Sequence, residues 1–315
     1  MAKSKMRRLA INHIYDFYPL YQVMYGRGME TKAFEVSKFA KMVMDFEAST
    51  STRRKWDVLE PFSGISEHEH FFAATGLNIE HYTGMDIVVP DGATNVIQGD
   101  IITDTLPFHV NAVFAFYYSL QNVRDAATGM HTRAKLVEFF DNIIGHLQVN
   151  ANKSRMPAVF AFHLDQPEDP NYYLTSRADV GGEQSWTAPA CGLLGQWVKC
   201  KPTDTLEVKC NLDTWYNRVQ CTAYDQAEDI QILVNGKVTA VVDIEQPFTH
   251  RVWTEHEVID ILRGLDYNLH FHMYNGTLSN YDFLMTRLDD KPVPGDEESN
   301  TNQMTTDMLV VVNPR

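Results

Sequence analysis

Three carboxylates occupy comparable places in this sequence. They are Glu60 in Val58-Leu59-Glu60-Pro61-Phe62-Ser63-Gly64, Asp86 in Tyr82-Thr83-Gly84-Met85-Asp86, and Asp100 in Gln98-Gly99-Asp100. Each closes a short run that reads as a strand, and Glu60 is followed by a Gly-containing turn and a helix opening near Glu67. Such a turn sets a carboxylate and a row of helix N-terminal amides over the carboxyl ends of a parallel sheet, where open α/β folds bind ligands. An acidic side chain at Asp86 can accept hydrogen bonds from both hydroxyls of a ribose. Asp100 can accept one from an exocyclic amine. The set suits an adenosine ligand bearing an ammonium group and fits a diphosphate poorly. The alternative is that each carboxylate merely caps the turn or helix behind it.

Proton chemistry points to the ends of the next two strands. Tyr117, Tyr118 and His163 are the acceptor-side candidates. His163, in Phe160-Ala161-Phe162-His163-Leu164-Asp165, is the best base, because an imidazole ordinarily titrates near neutrality. The bland counterpart is a hydrogen-bonded histidine at a strand end, and the tyrosines can equally pack and orient. Glu67-His68-Glu69-His70 offers only Glu67 and His70 on one helical face, and two ligands make a poor metal site, so no metal is expected. His270 and His272 alternate on one strand face and read as structural.

These residues need elements to hold them. Ala33, Val36, Phe39, Ala40, Val43 and Met44 mark one apolar face of a first helix. From Trp56 strands and helices alternate, with strands expected at Trp56–Leu59, His81–Val88, Thr94–Ile97, Ala112–Tyr117 and Ala158–Phe162. Leu136, Phe139, Phe140, Ile143, Ile144 and Leu147 form the face of an amphipathic helix between the last two. This alternation predicts a parallel sheet covered on both faces.

After Pro167 the pattern becomes antiparallel, with short strands at Leu206–Asn211, Val219–Tyr224, Ile230–Val234 and Lys237–Ile244. Asn235-Gly236 is a two-residue hairpin signal between the last pair. Thr254 and Glu257 form a capping-box signature for a later helix. Leu269–Tyr274 and Phe283–Leu288 read as closing strands, and Asp289–Asp307 as an acidic, mobile loop. Met308–Val312 is a strand without an assigned place.

Composition narrows the partners. With 27 Lys and Arg against 41 Asp and Glu, the formal charge of −14 disfavours nucleic acid. No run approaches the roughly 20 apolar residues of a membrane span, and no apolar signal core follows the N-terminal charges. Cys191, Cys200, Cys210 and Cys221 lack zinc-knuckle spacing, and a reducing cytoplasm is the simplest compartment.

The ordered set of strand-end carboxylates and turn resembles class I S-adenosylmethionine-dependent methyltransferases, particularly small-molecule N-methyltransferases acting on amino sugars or, more distantly, glycine. Tyr15-Asp16, Tyr21 and Tyr25-Gly26-Arg27-Gly28 resemble the lid of that family ahead of its first helix. The segments Ala112–Leu120 and Arg251–Val258 resemble its fourth strand and its return into the last helix. The resemblance implies a Rossmann-like α/β sheet with an inserted antiparallel unit, using S-adenosylmethionine as cofactor and a small-molecule acceptor, an amine.

It further implies that Glu60 with the turn at Phe62 and Gly64 holds the methionine portion, Asp86 and Ile87 the ribose, and Asp100 with Ile101 the adenine. Tyr21 and Arg27 would close over the cofactor, and Phe116 would line its site. The turn departs from the usual three glycines, since Phe62 and Ser66 occupy two of those positions. A nicotinamide dehydrogenase is disfavoured by the same shortage of glycine.

The implied division is a helical lid over 1–55, a cofactor domain over 56–172 and 251–315, and an antiparallel insertion over 173–250 that caps the acceptor or mediates homodimerisation. Trp186, Trp197, Trp215 and Tyr216 line the acceptor pocket or form that insertion's core or dimer surface. A nucleic-acid or protein methyltransferase and a non-catalytic relative remain as alternatives.

Overall fold

In the computed structural model the described residues are 6–25, 29–51, 53–64, 68–89, 93–116, 119–125, 128–165, 182–217, 222–251, 253–277, 284–287 and 304–315. The elements run β1 (Arg7–Ile11), α1 (Tyr18–Met24), α2 (Met29–Thr50), β2 (Trp56–Pro61), α3 (Glu69–Phe72), β3 (Ile79–Asp86) and β4 (Val96–Gln98). They continue with β5 (Ala112–Ala115), α4 (Arg133–Ser154), β6 (Ala158–Asp165), β7 (Gly182–Ala188), α5 (Leu193–Val198), β8 (Leu206–Asn217) and β9 (Thr222–Val234). The last are β10 (Lys237–Ile244), β11 (Phe248–Arg251), α6 (Glu255–Gly264), β12 (Leu269–Thr277), β13 (Leu284–Arg287) and β14 (Met304–Val312).

The chain divides into two compact units, Met29–Glu168 with Arg251–Arg315, and Met1–Gly28 with Asp169–His250. The first 55 residues are therefore split at Gly28. Strand β1 and helix α1 belong with the antiparallel sheet, and α2 belongs with the parallel one.

The larger unit is built on a sheet of order β13-β12-β14-β6-β5-β2-β3-β4. Strands β2 to β6 are mutually parallel, and β14 enters antiparallel between β6 and β12. The strand order reverses at β2, so the carboxyl ends of β2, β3 and β5 surround a topological switch point. Both faces are covered, because the buried strands carry apolar side chains in both directions. Helix α4 packs Leu136, Phe139, Phe140, Ile143, Ile144 and Leu147 against one face, as its periodicity predicts. Helix α2 packs Val36, Phe39, Ala40 and Val43 against the other. Helix α6 starts at Thr254, whose hydroxyl accepts from the Glu257 amide at 3.2 Å while Glu257 accepts from the Thr254 amide at 3.1 Å.

The end of the chain differs from the expected loop. Residues 289–303 lie outside the described set, but Met304–Asp307 are the start of β14, and Asp307 pairs with His163 across β6.

The smaller unit is a sheet of order β1-β10-β9-β8-β7, with β11 on β9 and β1 parallel to β10. Asn235 and Gly236 both take positive φ, 51° and 74°, as a tight hairpin requires. The expected Ile230–Val234 strand is part of the longer β9, interrupted by a bulge at Asp229, φ 53°. Trp186 and Trp197 pack against this unit's core, and Trp215 stacks on Tyr224 at 5.3 Å. Tyr216 lies outside the side chains described. Among the described residues no helix is long and apolar enough to cross a membrane.

Candidate functional site

The turn leaving β2 is shaped by two left-handed residues, Phe62 at φ 57° and Gly64 at φ 55°. Glycine takes this conformation without cost, whereas a side chain raises it by roughly 1–2 kcal/mol. The Phe62 ring packs against Phe139 of α4, with centroids 5.9 Å apart, which offsets part of that strain. Phe62→Gly is therefore expected to be more stable than Phe62→Ala by about 1 kcal/mol, since both lose the ring and only alanine keeps the strain. Urea midpoints measure it, and an alanine variant equal to or more stable than glycine would contradict the strain.

The turn is tied to β3. The Ser63 amide donates to the Met85 carbonyl at 3.3 Å, and the Gly64 amide donates to Oδ2 of Asp86 at 2.9 Å. Oδ1 of Asp86 accepts from the Val88 amide at 3.2 Å. Burial pushes the Asp86 carboxyl above its ordinary range, while the Gly64, Val88 and Ile87 amides hold it back. Beside it Ile87 is 53% exposed, an apolar surface at a strand end where a ligand could cover it. Gly84 permits the close approach of turn and strand: a Cβ there would lie 2.4 Å from Oγ of Ser63. A glycine inside a strand is the sequence signal for such an approach, and the sequence reading did not use it.

Glu60 is 2% exposed and both its oxygens are engaged. Nδ1 of His68 donates to Oε1 at 2.7 Å and the Tyr82 hydroxyl donates to Oε2 at 2.6 Å. Burial first, and then the Glu60 charge, push the Tyr82 phenol well upward, so it remains a donor. Glu60 thus staples the two ends of the turn.

Asp100 follows its capping alternative locally. Its Oδ1 accepts from the Ile102 amide at 2.9 Å, and its own amide donates to Asp104 at 2.8 Å. Ile101 is buried in the core of the α4 face. Phe116 is likewise buried, stacked on His68 at 4.2 Å and on Phe39 at 4.8 Å.

His163 is 3% exposed at the end of β6. Its Nδ1 donates to Asp307, Nε2 lies 3.8 Å from Oε1 of Glu35, and its ring lies against Phe39 at 4.5 Å. Asp307 also receives the Lys38 ammonium. Lys32, Glu35 and Lys38 are buried on α2, although nothing in the sequence distinguishes them from a solvated helix face.

Tyr117, Tyr118 and Arg27 lie outside the described residues. Tyr21 lies on α1 in the smaller unit, packed against that unit's core beside Tyr25 at 5.8 Å. Asp57, Glu80 and His81 bring three potential metal-ligand atoms together at the opposite ends of β2 and β3, with Glu80 paired to Lys55 at 2.8 Å. His70 is exposed, and Glu69 accepts from Asn95 at 3.0 Å.

No family model and no curated protein matches this chain. Solved structures do. An S-adenosylmethionine-dependent methyltransferase from Clostridium acetobutylicum is 11% identical with a TM-score of 0.51, covering 95% of this chain and 99% of that one. The sugar N-methyltransferase KedS8 from Streptoalloteichus is 14% identical with a TM-score of 0.51, covering 100% and 98%. DesVI from Streptomyces venezuelae is 13% identical with a TM-score of 0.50, covering 97% and 100%. At these identities the likeness shows the fold, a Rossmann-like α/β fold of the class I methyltransferase type.

Proposed function

We propose that this chain is an enzyme that transfers the methyl group of S-adenosylmethionine to a small-molecule amine. The observation that carries the proposal is the bond from the Gly64 amide to Asp86 at the switch point of the methyltransferase-type sheet. The residues fit an adenosyl ligand. Asp86 supplies a carboxylate beside exposed Ile87, and the buried Ser63 hydroxyl has no hydrogen-bond partner among the described residues. With both Glu60 oxygens engaged and the Ser63 and Gly64 amides bonded to β3, the Ser63 hydroxyl is left to meet the methionine portion.

The cofactor supplies an activated methyl group. The protein's part is to align the acceptor nitrogen in line with that methyl and to exclude water. An ammonium acceptor must first lose a proton, which calls for a base. The roles that the resemblance gives to Tyr21, Arg27, Tyr117, Tyr118 and His163 are carried into this proposal. Cys191, Cys200 and Cys210 are free thiols, which supports a reducing, cytoplasmic setting. The acidic balance of the chain supports a small acceptor over a polynucleotide.

Calorimetric titration of the full chain with S-adenosylmethionine and with S-adenosylhomocysteine tests the reading. Dissociation constants in the micromolar range, corresponding to roughly 8 kcal/mol of binding free energy, are expected for both. No heat from either ligand at millimolar concentration would remove the cofactor and the enzyme with it.

A further inference from the structure

The amino ends of β2 and β3 carry a second cluster of side chains with chemistry, at the far end of these strands from the turn. It consists of Asp57 on β2 and Glu80 and His81 on β3. Each offers a potential metal-ligand atom, and the three atoms lie within 4.8 Å of one another. Nδ1 of His81 and Oδ1 of Asp57 are 2.6 Å apart.

Regular strand geometry would not produce this set. Successive side chains of a strand point to opposite faces, so Glu80 and His81 should turn away from each other. The pairing of β2 with β3 slips by one residue here, with Trp56 opposite Ile79 and Asp57 opposite His81. Glu80 is the extra residue of a bulge, the local device by which a strand re-aims a side chain. The slip brings both neighbours to the same carboxylate.

Asp57 is held from its other side by Asn111, just ahead of β5. Oδ1 of Asn111 accepts from the Asp57 amide and the Asn111 amide donates to the Asp57 carbonyl, each at 3.0 Å. Two residues earlier the same segment carries His109, an exposed histidine whose ring centroid is 5.7 Å from that of His81. The chain thus gathers two carboxylates and two imidazoles from three segments.

This donor set selects among cations. Zinc takes four ligands, and imidazole nitrogen with carboxylate oxygen suits it, whereas magnesium prefers six oxygens. Entry requires no opening of the core, because the side chains of His81 and Glu80 are 64% and 40% exposed. The competing contact from Lys55 to Glu80, at 2.8 Å, is an exposed ion pair and therefore weak.

We propose that Asp57, Glu80 and His81 form a zinc site, closed by His109 after a rotation of its exposed ring. The ion clasps the starts of β2 and β3 to the segment entering β5. Those are the strands whose far ends surround the switch point, yet the clasp does not depend on the methyl-transfer reading.

The test is calorimetric titration of the full chain, stripped of metal with a chelator, against zinc chloride. One ion per chain is expected, with a dissociation constant in the micromolar range or below. His81→Ala should weaken binding at least thirtyfold, and Glu80→Gln and His109→Ala at least fivefold each. Thermal unfolding gives a second reading, because a ligand held only by the folded chain raises the midpoint. Saturating zinc should raise it in the parent and leave His81→Ala unmoved. Absence of zinc binding in the parent overturns the proposal. So does unchanged affinity in His81→Ala or His109→Ala, which would put the ion elsewhere. Displacement of zinc by equimolar magnesium also overturns it, since the imidazoles would then play no part.

Discussion

Asp307→Ala is expected to lose about 3–5 kcal/mol of stability, the largest single effect we anticipate, because it removes one partner from a buried ion cluster. Asp307 is 0% exposed and holds both the Lys38 ammonium and Nδ1 of His163. Truncation takes a charged partner from a buried ammonium and a buried imidazole. Water cannot easily reach them, because Phe39 covers the His163 ring and Phe34 lies 5.5 Å from Nζ of Lys38. Strand β14 would also lose its anchor beside the end of β6, where Asp307 and His163 pair in the sheet.

The double variant Lys38→Met, Asp307→Leu should recover part of that loss, since a buried pair replaced by apolar groups of similar size is often near neutral. Urea unfolding with an unchanged m-value makes the comparison. A loss below about 1 kcal/mol in Asp307→Ala would mean that the cluster is solvated, as an exposed pair is.

Asp86→Asn is expected to separate binding from stability. If Asp86 accepts from ribose hydroxyls, removing its charge should weaken S-adenosylmethionine at least tenfold, about 1.4 kcal/mol. Stability should move the other way or not at all. The carboxyl is raised in the folded state, first by burial, so the stabilisation linked to its proton is present in acid and fades as pH rises through the raised value. At neutral pH the folded chain therefore carries a carboxylate it partly disfavours, and the neutral amide removes that cost. One oxygen remains to accept from the Gly64 or the Val88 amide.

The same sign gives a pH dependence for binding. Affinity should fall on acidification at a pH above the ordinary carboxylate range, because the protonated form accepts poorly. Paired calorimetry and thermal unfolding supply the readings. An Asn variant that binds like the parent would detach Asp86 from the cofactor. One that loses stability in proportion to affinity would make Asp86 a fastener of the turn alone.

The amino-acid sequence determined those features whose causes are local. The capping box at Thr254 and the positive-φ hairpin at Asn235-Gly236 depend on residues at most three positions apart, and both form as read. The apolar face of α4 follows from its own periodicity, and the strand–helix alternation from Trp56 predicts the parallel sheet that β2 to β6 make. Asp86 stands at the end of β3 beside the Gly-containing turn, where the strand-and-turn pattern puts it.

Tertiary structure alone decided the rest. Asp307 sits in an acidic, polar stretch that reads as solvated, and its burial depends on His163, 144 residues away, and on Lys38. Nothing in the local sequence marks Glu35 and Lys38 for burial, for the same reason. Asp100 and Glu60 carry the same sequence signal as Asp86, and only the folded chain shows that Asp100 accepts from the Ile102 amide and Glu60 from His68 and Tyr82. Local propensity records what a residue costs in water. Whether a charge can leave water depends on partners brought from distant segments, and only the folded chain supplies those.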